Sequence, residues 1–384
     1  MAHDARLAVS VFLEEICLKT FVCQCGNKLY FANNTCVVCG LLLGFLSDEL
    51  QLSAFTTNGS GHLQSAANGQ IYRQCKNYLE NKVCNWMIPA EDPHEFCLSC
   101  QLNEVTPNLE VKGNKLLWYN LEQAKRRLLY TLYKLKLPVK NRVQKPDKGL
   151  GFEFLEDEVT DEYGNELTVK NYVSTGHAAG IITINIKEAQ TSIRHQVRES
   201  LNENYRTLIG HFRHESGHYY WDLLVKSSQH IEEFRKLFGD ERMDYAKALN
   251  DYYKQGPKKN WQNVWVSAYA SMHPWEDWAE TWAHYLHMVD TLETASDYDF
   301  SIAGNKVANP LIAGGQHDYI YTATSFTHLF NDWCRLTEVL NGLNRSMGLD
   351  DAYPFVISIS ALDKLRFVHQ VVLQNDHIYQ DTLS

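Results

Sequence analysis

Nine of the ten cysteines lie within the first 100 residues. Cys23-x-Cys25 and Cys36-x-x-Cys39 form one set, and Cys75, Cys84 and the pair Cys97-x-x-Cys100 form a second. Four thiolates brought together by tight turns make a closed, structural zinc site. Gly26 and Gly40 directly follow two of the pairs, where a turn would present backbone amides to the sulfurs. Cys23-x-Cys25 is one residue shorter than the usual spacing. Cys17 is therefore an alternative to one of that pair, and exchange of pairs between the two sets stays open. One or two structural Zn²⁺ ions would hold a module whose own core is too small. A polar insert, TTNGSGHLQSAANGQ (56–70), separates its halves. A redox C-x-x-C would call for a thioredoxin-like βαβ pattern, which does not surround it.

Ten cysteines read this way only where thiols stay reduced. The N-terminus MAHDARLAVSVFLEEICLK carries acidic residues where a secretory signal starts basic. No apolar run reaches the ~18 residues of a membrane span. A cytoplasmic protein with no membrane association is expected. With 384 residues, 45% hydrophobic and 21% charged, the chain can bury a sizeable core. The division expected is a Cys-rich module over 1–106 and a larger domain over 107–384.

Beyond the cysteines, LLWYNLEQAKRRLLYTLYKL (116–135) has apolar residues at three- and four-residue intervals and reads as a helix ended by Pro138. GFEFL (151–155) and AGIITINI (179–186) read as strands around the turn-rich DEYGNE. Helices are expected over 196–225, in HIEEFRKLFGD, in DYAKALNDYYKQG, from Pro274 through LETA, and in SALDKLRFVHQVVLQ. The fold class is α+β, mostly helical with a small sheet.

The helix over 196–225 carries HFRHESGH. His214 and His218 stand four apart, so on a helix both imidazoles face one ion, and Glu215 beside them can act as general base on a water. A zinc with three protein ligands keeps a fourth position for that water and lowers its pKa to ~7. The version with a third histidine in the same segment is excluded, because Trp221 and Leu224 occupy its glycine and histidine places. A later helix, HPWEDWAETWAHYLH, offers Glu276 and Glu280 one turn apart instead.

HESGH followed by SAYASMHPWEDWAETWAHYLH resembles the glutamate-zincin metallopeptidases. The resemblance implies a zincin-like domain with Glu276 as third zinc ligand and Glu280 as a partner behind the ligands. It also implies that Tyr269, seven residues before Glu276 as in lethal-factor-like members, stabilises the tetrahedral intermediate. The wider chain resembles a bacterial family of zinc-binding metallopeptidases with an N-terminal zinc ribbon. CQCGNKLYFANNTCVVCG, VCNWMIP, CLSCQLN, TGHAAGIITINI, YRTLIGHFRHESGHYYWD, FGDER and NRSMG carry it, from about residue 20 to 350. A peptidase acting on protein or peptide substrates is implied.

Tyr269 or His273 would then face the oxyanion. AGIITINI is either an edge strand that pairs with an extended substrate or a buried central strand. His211 and Asp222 flank the motif as orienting or surface residues, and Arg206 and Arg213 are placed to pair with acids, Glu276 and Glu280 among them. His284 and His287 read as packed or surface histidines, and Cys334 as a buried apolar residue. Residues 112–148 hold eleven Lys/Arg against two Asp/Glu in a chain at −10. That stretch is a solvated face or a site for an acidic partner or nucleic acid. The rival to a peptidase is a catalytically silent zincin-fold scaffold whose ribbons bind a protein or nucleic-acid partner.

Overall fold

The computed structural model describes residues 20–160, 168–190, 207–310 and 323–374. It opens with a hairpin of β1 (Thr20–Val22) and β2 (Lys28–Tyr30), whose turn carries Cys23 and Cys25. Gly26 and Gly40 take φ of +83° and +72°, a region that favours glycine. Each closes its turn, Gly26 N–H donating to Cys23 O and Gly40 N–H to Cys36 O.

An antiparallel meander follows: β3 (Leu42–Leu46), β4 (Gln51–Thr57), β5 (Leu63–Ser65), β6 (Ile71–Gln74) and β7 (Met87–Pro89). The polar segment 56–70 is thus not an insert between two halves. It supplies the end of β4, all of β5 and the turns around them. Its alternation is hidden because Ser53 and Ser65 face inward together and bond to each other at 2.9 Å.

A mixed sheet comes next, with β8 (Asn103–Val105), β9 (Gly151–Leu155), β12 (Gly176–Ala178) and β13 (Ile181–Asn185) in the order β12-β13-β9-β8. β9 pairs in parallel with both β8 and β13, and β12 runs antiparallel to β13. A short pair, β10 (Glu158–Thr160) and β11 (Thr168–Asn171), stands apart from it. The AGIITINI strand is therefore central, and β12 forms the edge among the described residues. Phe152 and Phe154 alternate into the core and meet Phe212 at ring separations of 5.8 and 6.4 Å.

The helices are α1 (Asn114–Lys134), α2 (Leu208–Leu224), α3 (Ile231–Phe238), α4 (Tyr245–Gln255), α5 (Pro274–Asp297), α6 (Ala323–Ser346) and α7 (Ile359–Leu373). A final two-residue hairpin pairs β14 (Ser301–Ile302) with β15 (Asn305–Lys306). The motif helix begins later than its periodicity suggests. Thr207, in extended conformation, accepts from Gly210 N–H and caps α2. Residues 196–206 of the expected helix, Arg206, Cys17 and DEYGNE lie outside the described residues. No described helix is long and apolar enough to cross a membrane.

One core runs from the cysteine module into the helices. Phe31, Phe45 and Trp86 pack on one another, and Tyr130 of α1 meets Phe31 at 5.7 Å and Phe45 at 6.1 Å. The division at 106/107 falls just after β8, the strand that joins the mixed sheet to this module. Of the eleven cations in 112–148, Lys125, Arg126 and Arg127 are buried. Lys125 pairs with the buried Glu122 at 2.9 Å, so these side chains turn away from solvent.

Candidate metal centres

Two helices build the main site. α2 and α5 cross where Gly217 faces Ala279: a Cβ on Gly217 would lie 2.9 Å from Ala279 Cα. Trp278 Nε1 donates to Gly217 O at 2.8 Å, and Trp282 Nε1 donates to Ser216 Oγ at 3.1 Å. Both indoles are fully buried, and truncating either would cost about 3–5 kcal/mol. Ser216 and Gly217, inside the motif, therefore fix the crossing that brings α5 against His214 and His218.

Across this crossing, His214 Nε2 lies 3.0 Å from Glu276 Oε2, and His218 Nε2 lies 3.5 Å from Glu276 Oε1. The metal–ligand distances of zinc, about 2.0–2.1 Å, place tetrahedral neighbours about 3.3 Å apart. Glu276 is 2% exposed, and its Oε2 makes no hydrogen bond despite the short approach to His214. Two imidazole nitrogens and a buried carboxylate at these separations match the edges of a site that one cation would occupy. The residues fit Zn²⁺.

Behind the ligands, Glu280 Oε1 meets His214 Nδ1 at 2.7 Å, and Ser267 Oγ donates to Glu280 Oε2 at 2.6 Å. Burial raises the Glu280 carboxyl, but the bonds from His214 and Ser267 outweigh it and hold it at about 2. A carboxylate on Nδ1 leaves Nε2 as the free lone pair facing Glu276. Trp275 covers His218, with ring centroids 3.8 Å apart.

Glu215 is buried, and its Oε2 has no hydrogen-bond partner. Burial raises its pKa, while His214 and His218 oppose the rise. Tyr269 lies with its ring 6.0 Å from that of His214, and burial followed by the Glu276 charge keeps its phenol protonated. His273 holds a different place from the one expected of an oxyanion donor. Its Nδ1 accepts from Trp275 N–H at 3.1 Å and its Nε2 meets Met243 O at 3.1 Å, so both nitrogens are engaged with backbone and the ring caps α5. Tyr245 escaped the sequence reading: its hydroxyl donates to Glu276 Oε1 at 2.8 Å.

The flanking residues have other partners. His211 bonds to Glu188, and Asp222 pairs with Lys226 at 2.8 Å. Arg213 pairs with the buried Asp290, not with Glu276 or Glu280. His284 bonds to Tyr353 OH at 2.6 Å, and His287 meets Arg213 at 3.2 Å. Cys334 is exposed rather than buried.

A cavity of about 590 Å³ opens beside the centre, between His177 of β12 and Trp275, with Trp221, Tyr245 and Arg242 among its walls. Burial lowers the His177 pKa to about 4 and keeps the ring neutral.

The cysteines form two closed sets, with no exchange between them: Cys23, Cys25, Cys36 and Cys39, and Cys75, Cys84, Cys97 and Cys100. Sulfur separations of 3.6 Å (Cys23–Cys39), 3.7 Å (Cys25–Cys36) and 3.7 Å (Cys84–Cys97) approach the about 3.8 Å edge of a tetrahedral zinc–thiolate site. Trp86 N–H donates to Cys84 Sγ and Cys97 N–H to Cys75 Sγ, both at 3.4 Å. The second set is fully buried, whereas Cys25 and Cys39 of the first are exposed.

Residues 114–371 match the family described as "Putative zinc-binding metallo-peptidase", and residues 20–111 match a zinc-ribbon domain. The chain belongs to this metallopeptidase family. Proteins similar to the chain include uncharacterized proteins of Mycobacterium bovis and of two strains of Mycobacterium tuberculosis. Each is 38% identical over 357 residues, covering 92% of this chain and 95% of the relative. No solved structure matches.

Proposed function

We propose that the chain is a zinc-dependent peptidase that hydrolyses peptide bonds at His214, His218 and Glu276, with Glu215 as general base. The observation that carries this reading is the convergence of the His214 and His218 Nε2 atoms on the buried Glu276 carboxylate, with the motif's Glu215 buried and its Oε2 unpartnered. Zinc held by these three ligands would supply Lewis acidity and a water acidic enough to deprotonate near neutral pH.

Glu215 is the base that would take a proton from a water attacking the peptide carbonyl and return it to the leaving amine. Its raised pKa suits both steps, since a base this buried also gives its proton back. Tyr269, kept protonated, donates to the oxygen of the tetrahedral intermediate. Glu280 and Ser267 keep His214 in the tautomer that offers Nε2. An extended peptide adds to the edge of β12, and a side chain flanking the scissile bond enters the cavity beside Trp275. The two Cys₄ sites take structural zinc.

The test is digestion of a proteome-derived peptide library by zinc-loaded wild type and Glu215→Gln. Cleavage by wild type that falls about 10²–10⁴-fold in the variant supports the general-base role. Equal activity in both removes it, and no cleavage by either moves the silent-scaffold reading ahead.

A further inference from the structure

Glu276 has two oxygens in different situations. Oε2 approaches His214 Nε2 at 3.0 Å and carries no hydrogen bond, whereas Oε1, 3.5 Å from His218 Nε2, accepts from Tyr245 OH at 2.8 Å. Tyr245 comes from α4, a helix with no buried residue, capped by Asp244 through Lys247 N–H. Its ring is nonetheless held between aromatic neighbours, 5.3 Å from His273 and 5.9 Å from Trp275. Phenol direction is thus set by packing, and its hydrogen is spent on one oxygen of a ligand carboxylate.

We propose that Tyr245 is a positioning residue that restricts Glu276 to one-oxygen ligation through Oε2, so that the carboxylate does not claim the coordination position needed by the attacking water. A carboxylate with both oxygens free can bind a cation through either or both. A catalytic zinc needs its fourth position open. Tyr245 is 31 residues from Glu276 in sequence and on another element, so the ligand geometry is tied to the seating of α4. Groups behind the ligands typically change metal affinity 10–100-fold when removed. This inference rests on the metal-centre reading given above, and its test separates the two.

The probe is ¹¹³Cd²⁺ loaded into the full chain and observed by NMR, where thiolate-bound cadmium resonates far downfield of cadmium on nitrogen and oxygen. Wild type is expected to give two downfield resonances from the cysteine sets and one upfield resonance. Tyr245→Phe keeps the ring and its packing, and the two downfield lines report that the fold is intact. The expected result is a displaced upfield line with unchanged downfield lines, and release of that one ion to a chelator about 10–100-fold more readily. An upfield line and retention identical to wild type would overturn the role of Tyr245 while leaving the metal centre standing. Absence of an upfield line in wild type, with both downfield lines present, would overturn the metal centre itself and this inference with it.

Discussion

Glu280 Oε1 sits 2.7 Å from His214 Nδ1, while Glu276 Oε2 lies 3.0 Å from the other ring nitrogen, Nε2. Two carboxylates one helical turn apart thus take different duties on one histidine. Glu276 reaches Nε2, and Glu280 bonds to Nδ1. Replacing Glu280 by Gln should weaken metal retention at this centre about 10–100-fold and leave the cysteine sites unchanged. Chelator competition with metal counting per chain checks this.

The same helix pair, α2 and α5, depends on a second buried relationship. Arg213 Nη2 pairs with Asp290, both almost without solvent, and Asp290 also accepts from Thr131 OH of α1. Asp290→Ala strands the Arg213 guanidinium in the core, and it should destabilise the fold by about 3–5 kcal/mol. Urea unfolding of the metal-loaded protein measures it.

Acid sensitivity follows from histidines that burial keeps neutral. His369 is held at about 4 by burial, against 6.5 for an ordinary histidine, with Tyr285 OH 3.0 Å from its Nδ1. A depressed folded-state pKa gives stability that is present above pH 6.5 and is lost as pH falls through 4. At about 1.4 kcal/mol per pH unit, the gap is worth about 3 kcal/mol in full and about 2 kcal/mol at pH 5. His369→Gln cannot titrate, so its stability should fall less than that of wild type between pH 7 and 5. Denaturant titrations at the two pH values give the comparison.

The two cysteine sites should differ in lability. Cys25 and Cys39 are exposed, whereas all four sulfurs of the second set are buried beside Arg126, which donates to Val83 O. In a His214→Ala background, which keeps only the two cysteine ions, zinc release to a chelating dye should therefore be biphasic, with Cys25→Ser removing the fast phase. A Cys97→Ser protein that keeps a slow phase would contradict the assignment.

Much of this was legible in the chain because it is local. The H-E-x-x-H spacing, the amphipathic period of α1 and the proline that opens α5 each depend on a few neighbouring residues. The pairing of cysteines within sets was less so, since it depends on the meander that holds them. Part of that meander hid in the polar segment 56–70, where Ser65 is the buried residue. The start of α2 was misplaced because Thr207 caps it inside a stretch with continuous helical period. His273 looked like a spare donor until its two backbone bonds appeared. Tyr245 had no signal at all: it sits on a solvent-facing helix, and only the return of α5 brings Glu276 to its hydroxyl.

The central claim is that His214, His218 and Glu276 hold a third metal ion apart from the two cysteine sites. Native mass spectrometry of the zinc-loaded chain, with His214→Ala beside it, tests that most directly. The account predicts three zinc ions per wild-type chain and two in the variant. The same count in both proteins would contradict it.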